Sequence, residues 1–250
     1  MAGHSKWAKV KHIKAVEDVK KGKVFGKISK EIAVAVKHGG SDPGFNPRLR
    51  TILLKARAAN MPADNIERAI KKGAGELEGQ SYEEFTYEGF AGGGVAVLVE
   101  TLTDNKNRTA GEIRSIFTKH GGHLASCKHL FQRRGQILIG HDQIGEDELL
   151  TLALEAGAED MTHDETGYLI TTDPHQFEAV HKAVEGKGIK PLRAEVAFVL
   201  VTPVPITDEH TARSALALVE ALEDHDDVQN VHVNFEIPDD VLEKVHASAG

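Results

Sequence analysis

The chain has 250 residues, 40% hydrophobic and 27% charged, a globular composition with room for two or three domains. Its net charge of −8 hides a split: residues 1–75 carry 17 Lys+Arg against 6 Asp+Glu, and residues 76–250 carry 13 against 32. The single cysteine, Cys127, excludes an intrachain disulfide, and no apolar run approaches the roughly 20 residues that span a bilayer.

A module of net +11 is the electrostatic footprint of a nucleic-acid binder, because cations placed near phosphates release condensed counterions. A body of net −19 is repelled by the same backbone and should face solvent or another partner. The first residues lack the apolar stretch of a signal peptide, so a cytoplasmic protein without a membrane partner is expected. Aromatic content of 5% argues against a surface built mainly on base stacking.

Residues 3–12 form a basic arm with Lys6, Lys9 and Lys11, continued by Lys14, and with the only tryptophan, Trp7. A polyanion should order it, with Trp7 either stacking on a base or pinning the arm to its own domain. From Glu17 to Lys37 the spacing predicts a helix. Val24, Phe25, Ile28, Ile32, Ala35 and Val36 share one face, and Lys20, Lys23, Lys27, Lys30 and Lys37 lie nearly opposite. His38-Gly39-Gly40 ends it.

Asn46 and Pro47 start a second helix as N-cap and first helical residue, with Leu49, Ile52, Leu53 and Ala56 inward and Arg48 and Arg50 flanking. Pro62 opens a third, with Lys71 and Lys72 in its last turn and Gly73 stopping it. Together these make a three-helix bundle.

Beyond Glu76 the period becomes 2. Residues 85–90 and 95–101 read as strands joined by Ala91-Gly92-Gly93-Gly94, and 107–120 as a helix. From Gln136 the order is strand 136–140, helix 146–156, strand 158–163, strand 167–172, helix 174–186, strand 191–201. This βαββαβ order is that of a ferredoxin-like sandwich. A helix from Asp208 to Glu223 and a strand from Val228 to Glu236 then lack a nearby partner in sequence, whereas 82–120 lacks an outer strand and a second helix.

The expectation is a multi-domain α+β protein: a three-helix bundle and two α/β sandwich domains, the ferredoxin-like one inserted in the other. The boundaries are 1–78, 79–134 with 203–250, and 135–202 for the inserted domain.

Several segments are recognisable together: Met1-Ala-Gly-His-Ser-Lys-Trp7, Asn46-Pro-Arg-Leu-Arg50, Ala58-Ala-Asn-Met-Pro62, Asp64 to Gly73, and Gly94 to Glu100 running into Thr103-Asp-Asn-Lys-Asn-Arg-Thr109. On these the chain resembles the YebC family over essentially its whole length. The resemblance implies a three-domain protein that acts on nucleic acid, either as a DNA-binding transcription regulator or as a ribosome-associated translation factor contacting ribosomal RNA. Two segments depart from the family pattern: Lys9-Val-Lys-His-Ile-Lys14, which lacks an arginine, and residues 124–135, which replace a Gly/Pro loop and a Trp-Met-Phe segment.

Chemistry beyond binding is not expected. His120, His123, Cys127 and His129 have zinc-compatible side chains but not a structural-zinc spacing, so no metal or other cofactor is assigned. The glycines at 92–94 lack the Gly-Lys-Ser/Thr of a phosphate loop. Carboxylate clusters at 146–148 and 224–227 read as helix ends and solvated turns. The candidate nucleic-acid contacts are Lys6, Trp7, Lys9, Lys11, Lys14, Lys20, Lys23, Lys27, Lys30, Arg48, Arg50, Lys71 and Lys72. The alternative role is a scaffold whose acidic domains recruit a protein partner.

Overall fold

The computed structural model describes residues 17–79, 81–200 and 203–247. They fold as two compact units, residues 131–200 in one and 17–130 with 203–247 in the other.

The larger unit begins with helices α1 (Glu17–Gly39), α2 (Pro47–Ala58) and α3 (Ala63–Gly73). Their apolar stripes close on one another: Ile28, Ile32, Ala35 and Val36 of α1 pack with Leu49, Ile52 and Ala56 of α2, and with Met61 and Ala69. Val24, expected inward, is instead exposed, and Phe25 and Leu53 are only partly covered.

Buried Asn46 joins two helices. Its Oδ1 accepts the Leu49 N–H at 3.0 Å and its Nδ2 donates to the carbonyls of Ala35 and Gly40 at 2.9 and 2.8 Å. One side chain thereby caps the start of α2 and satisfies carbonyls at the end of α1.

Gly73 does not stop α3 in the expected way. It is still helical, Ala74 is the cap, and the left-handed turn falls at Gly75 with φ of 78°. What Gly73 provides is close approach: a Cβ there would lie 2.5 Å from the Ala33 carbonyl oxygen and 2.7 Å from the Val36 Cβ.

The same unit then carries β1 (Glu83–Phe90), β2 (Ala96–Thr103), α4 (Lys106–Lys119) and β3 (His123–Leu124). After the second unit has intervened in sequence, the chain returns: β8 (Val204–Pro205), α7 (Glu209–Glu223), β9 (Val228–Val233), β10 (Phe235–Glu236) and α8 (Asp239–Ala247). The sheet order is β3-β1-β2-β9, with β9 antiparallel to β2 from Val97↔Val233 to Thr101↔Val228. Apart from half-covered Glu100, β2 is buried along its length, as a central strand with both faces covered must be. Ile113 and Phe117 of α4 and Ala215, Leu218 and Leu222 of α7 are buried with it. Helix α8 is an element that the periodicity does not announce.

The smaller unit contains β4 (Phe131–Ile139), α5 (Glu146–Glu155), β5 (Asp160–Asp164), β6 (Gly167–Thr172), α6 (Phe177–Gly186) and β7 (Arg193–Leu200). Its order, β5-β6-β4-β7 with every pair antiparallel, is the ferredoxin-like arrangement. The fold is therefore the multi-domain α+β architecture with one sandwich inserted in the other.

Strand β4 starts at Phe131 rather than Gln136. Gln132, Arg133 and Arg134 carry no apolar alternation, but they pair with Val199, Phe198 and Ala197, and the Arg133 guanidinium lies 5.7 Å from the Phe198 ring centre. Pairing with β7, invisible to local pattern, extends the strand. Among the described residues no helix is long and apolar enough to cross a membrane.

Replacing Gly73 by Ala should destabilise the bundle, because the new methyl meets backbone that cannot move independently. The cost of such overpacking is about 1–3 kcal/mol, measurable as a lower denaturant midpoint with an unchanged slope.

Candidate nucleic-acid interface

Lys23, Lys27 and Lys30 of α1 lie at spacings of four and three residues, and their ammonium groups have partners within the protein. Lys23 Nζ donates to the Asp224 carbonyl at 3.1 Å, Lys27 Nζ to the Glu223 carbonyl at 2.6 Å, and Lys30 Nζ to the Asp226 carbonyl at 3.1 Å. Lys30 also reaches the Asp227 carboxylate at 2.8 Å and lies 5.4 Å from the centre of the Tyr82 ring.

The reason lies in α7. That helix ends in Glu220, Glu223 and its cap Asp224, with no basic residue in its last turn. Carboxylates at a helix C-terminus oppose the dipole. The lysines of α1 supply from another helix the positive charge that α7 lacks, and they satisfy carbonyls that the helix end leaves open. In this structure Lys23, Lys27 and Lys30 face the acidic end of α7.

Asp227, expected to be a solvated turn residue, is buried. Its carboxylate receives Lys30 at 2.8 Å, Arg108 Nη2 at 2.7 Å and the Thr109 hydroxyl at 2.8 Å, and its backbone carbonyl accepts the Leu102 N–H at 2.8 Å. Burial works against the charge. Hydrogen bonds from Lys30, Arg108 and Thr109 outweigh it and hold the carboxyl far below the usual carboxylate range. Sequence reasoning missed this centre. The available signal was Arg108-Thr109 at the end of the recognised Thr103–Thr109 segment, a cation and a hydroxyl that open α4.

The remaining predicted residues are scattered around the bundle. Arg48 is ion-paired with Glu84, Arg50 is half-buried, and Lys71 bonds Glu67 one helical turn away at 2.6 Å. That bond raises the Lys71 pKa and lowers that of Glu67, both on the exposed side of α3. Lys72 is exposed, as are Arg57 and Arg68, which the sequence reading leaves out. Lys20 lies on α1, but its side chain is outside the described part. Lys6, Trp7, Lys9, Lys11 and Lys14 lie outside the described residues.

The His/Cys segment is not drawn together around an ion. The Cys127 thiol is buried, donates to the Val97 carbonyl at 3.5 Å, and is pushed up by burial. His123 instead stacks on Phe90 at 6.0 Å. Among the described residues no group of three or more His, Cys, Asp or Glu could hold a metal ion.

A basic helical bundle leading two acidic sandwich domains, one inserted in the other in sequence, defines a class of multi-domain α+β proteins with a strongly partitioned charge. The chain belongs to the TACO1/YebC family: the profile of the family's N-terminal domain matches residues 5–76, and that of its second and third domains matches residues 82–235.

Relatives named "probable transcriptional regulatory protein" include one from Halothermothrix orenii, 52% identical over 98% of this chain and 99% of its own, and one from Persephonella marina, 52% identical over 98% and 100%. A crystal structure of a conserved hypothetical protein from Aquifex aeolicus is similar, at 48% identity and a TM-score of 0.80 over 89% of this chain and 93% of its own.

Replacing Asp227 by Asn should cost about 3 kcal/mol, the low end for a broken buried pair, since Lys30 and Arg108 can turn to water. The wild-type contribution is complete above the unfolded value, about 3.9 for aspartate, and is lost as pH falls from there toward the depressed folded value. Denaturant titrations between neutral and acid pH should show the variant losing less stability below pH of about 4 than the wild type.

Proposed function

We propose that this protein is a non-enzymatic, nucleic-acid-binding regulator of gene expression that contacts phosphates through its N-terminal module. The observation that carries this is the partition of charge, +11 in residues 1–75 against −19 in the rest. Counterion release makes such a module bind any phosphate backbone, while the acidic domains keep the rest of the molecule away from it. The names of the relatives, probable transcriptional regulatory proteins, agree with a role in gene expression.

The three domains, 1–78, 79–134 with 203–250, and 135–202, divide the work: the first holds the polyanion and the other two remain in solvent. The contacts we assign are Lys6, Trp7, Lys9, Lys11 and Lys14 in the first residues, with Arg48, Arg50, Lys71 and Lys72 on α2 and α3. Exposed Arg57 and Arg68 on the same two helices belong with it.

Lysine-led contact with scattered arginines suits backbone binding better than base readout, which needs bidentate side chains grouped on one element in a groove. Backbone contact serves duplex DNA and ribosomal RNA alike, and the arm suits threading into an RNA cavity better than reading a promoter.

The test is a salt titration of binding to labelled duplex DNA and to single-stranded RNA. Changing Arg57, Arg68 and Lys72 together to Gln should weaken binding at any sequence. It should also flatten the slope of log K against log salt by about 0.7–0.9 for each phosphate that is no longer neutralised. A folded variant with the wild-type slope would remove α2 and α3 from the interface.

A further inference from the structure

The bundle has a core of its own, drawn entirely from α1, α2, α3 and the turn before α3. The hydrogen bonds and ion pairs that tie it to the sandwich domain of the same unit lie outside that core. Beside the lysine row, polar ties run from Lys37 Nζ to the Ser81 hydroxyl at 2.6 Å and between Arg48 and Glu84 as an ion pair. Next to the row lies an open cleft of about 600 Å³, lined by Lys23, Lys30, Tyr82, Arg108, Asp224 and Asp227 among others. The connector that follows α3 is exposed from Ala74 to Gly79 and contains glycines 75 and 79. A contact tied by polar groups beside a glycine-bearing connector is the kind of domain junction that separates.

The chemistry of the row permits separation without leaving a stranded charge. If Lys30 leaves, Asp227 keeps Arg108 and Thr109, so its buried carboxylate remains partnered. If Lys23 and Lys27 leave, they vacate backbone carbonyls at a helix end and the exposed Asp224 carboxylate, which water can satisfy.

We propose that Lys23, Lys27 and Lys30 form an exchangeable latch: in the free protein they hold the bundle against the acidic end of α7, and on binding they pass to the phosphates of a nucleic-acid backbone. Glu223, Asp224, Asp226 and Asp227 then act as an internal polyanion mimic, which nucleic acid must displace. The latch rests on the nucleic-acid reading above. It adds that part of the binding surface is covered until a ligand competes for it, and that a single chance phosphate is a poor competitor for a row held at three points.

Zero-length carbodiimide coupling on the full-length protein tests it. Lys23 Nζ stands 4.0 Å from the Asp224 carboxylate, with both side chains accessible, so an amide between them reports the closed state. Lys182–Glu178, 3.4 Å apart within α6, is the internal control. Coupling is measured by mass spectrometry with and without a short mixed-sequence RNA or DNA duplex, with saturation verified by fluorescence anisotropy.

Saturating nucleic acid should lower the Lys23–Asp224 product at least about threefold relative to the control pair, as displacement of a dominant closed population requires. An unchanged yield with nucleic acid demonstrably bound would overturn the latch and leave the nucleic-acid function standing. Absence of any binding by RNA or duplex would overturn both.

Discussion

A carboxylate taken out of water must be repaid by partners, and at Asp227 the partners come from separate stretches of chain: Lys30 from α1, Arg108 and Thr109 from α4. The residue itself sits between α7 and β9, and its carbonyl is tied to the end of β2. One buried charge therefore registers the bundle, the first sheet and the returning segment against each other. The desolvation cost makes the arrangement demanding rather than strongly stabilising, since a buried pair often contributes little net energy but is costly to break. Its value is specificity: a sheet register shifted along β2 would withdraw the carboxylate from Arg108 and Thr109.

Around that fixed point the charge partition acquires a structural meaning. Positive and negative halves of a chain are commonly read as a binder and its solvating tail. Here they also meet one another. Helix α7 ends in acids with no compensating base of its own, and the compensation arrives from α1. The total charge of the acidic body says nothing of this. What matters is that several of its carboxylates are concentrated where a helix dipole is already negative, so the lysine row meets a stronger local field than the global count suggests.

Much of the fold is legible because it rests on local rules. Asn46-Pro47 announces α2 through capping chemistry, the helical stripe of α1 marks its inward face, and alternation with a two-residue turn at Glu165-Thr166 marks the hairpin of β5 and β6. The failures share one cause, which is a partner distant in sequence. Gln132, Arg133 and Arg134 are strand only because β7 pairs with them. The candidate site fails to be legible for the same reason. Amphipathicity tells that Lys23, Lys27 and Lys30 point away from the bundle's own core, but not whether water, a phosphate or the end of another helix awaits them. The turn at 224–227 looks solvated because three of its four residues are acidic and one is histidine, and nothing local distinguishes Asp227 from its neighbours.

The identity of the cation matters to this arrangement. Each lysine in the row engages a backbone carbonyl, a single acceptor best met by a compact ammonium that can rotate among its donors. An arginine would present a planar fork that favours bidentate carboxylate or phosphate oxygens and stacking surfaces. It would therefore sit less well on one carbonyl and more firmly on a phosphate. Arg108 shows the other preference: its Nη2 meets two carboxylates, Asp104 at 3.0 Å and Asp227 at 2.7 Å. Lysine stands where backbone carbonyls must be met, with Lys30 reaching the Asp227 carboxylate as well, and arginine where two carboxylates must be gathered.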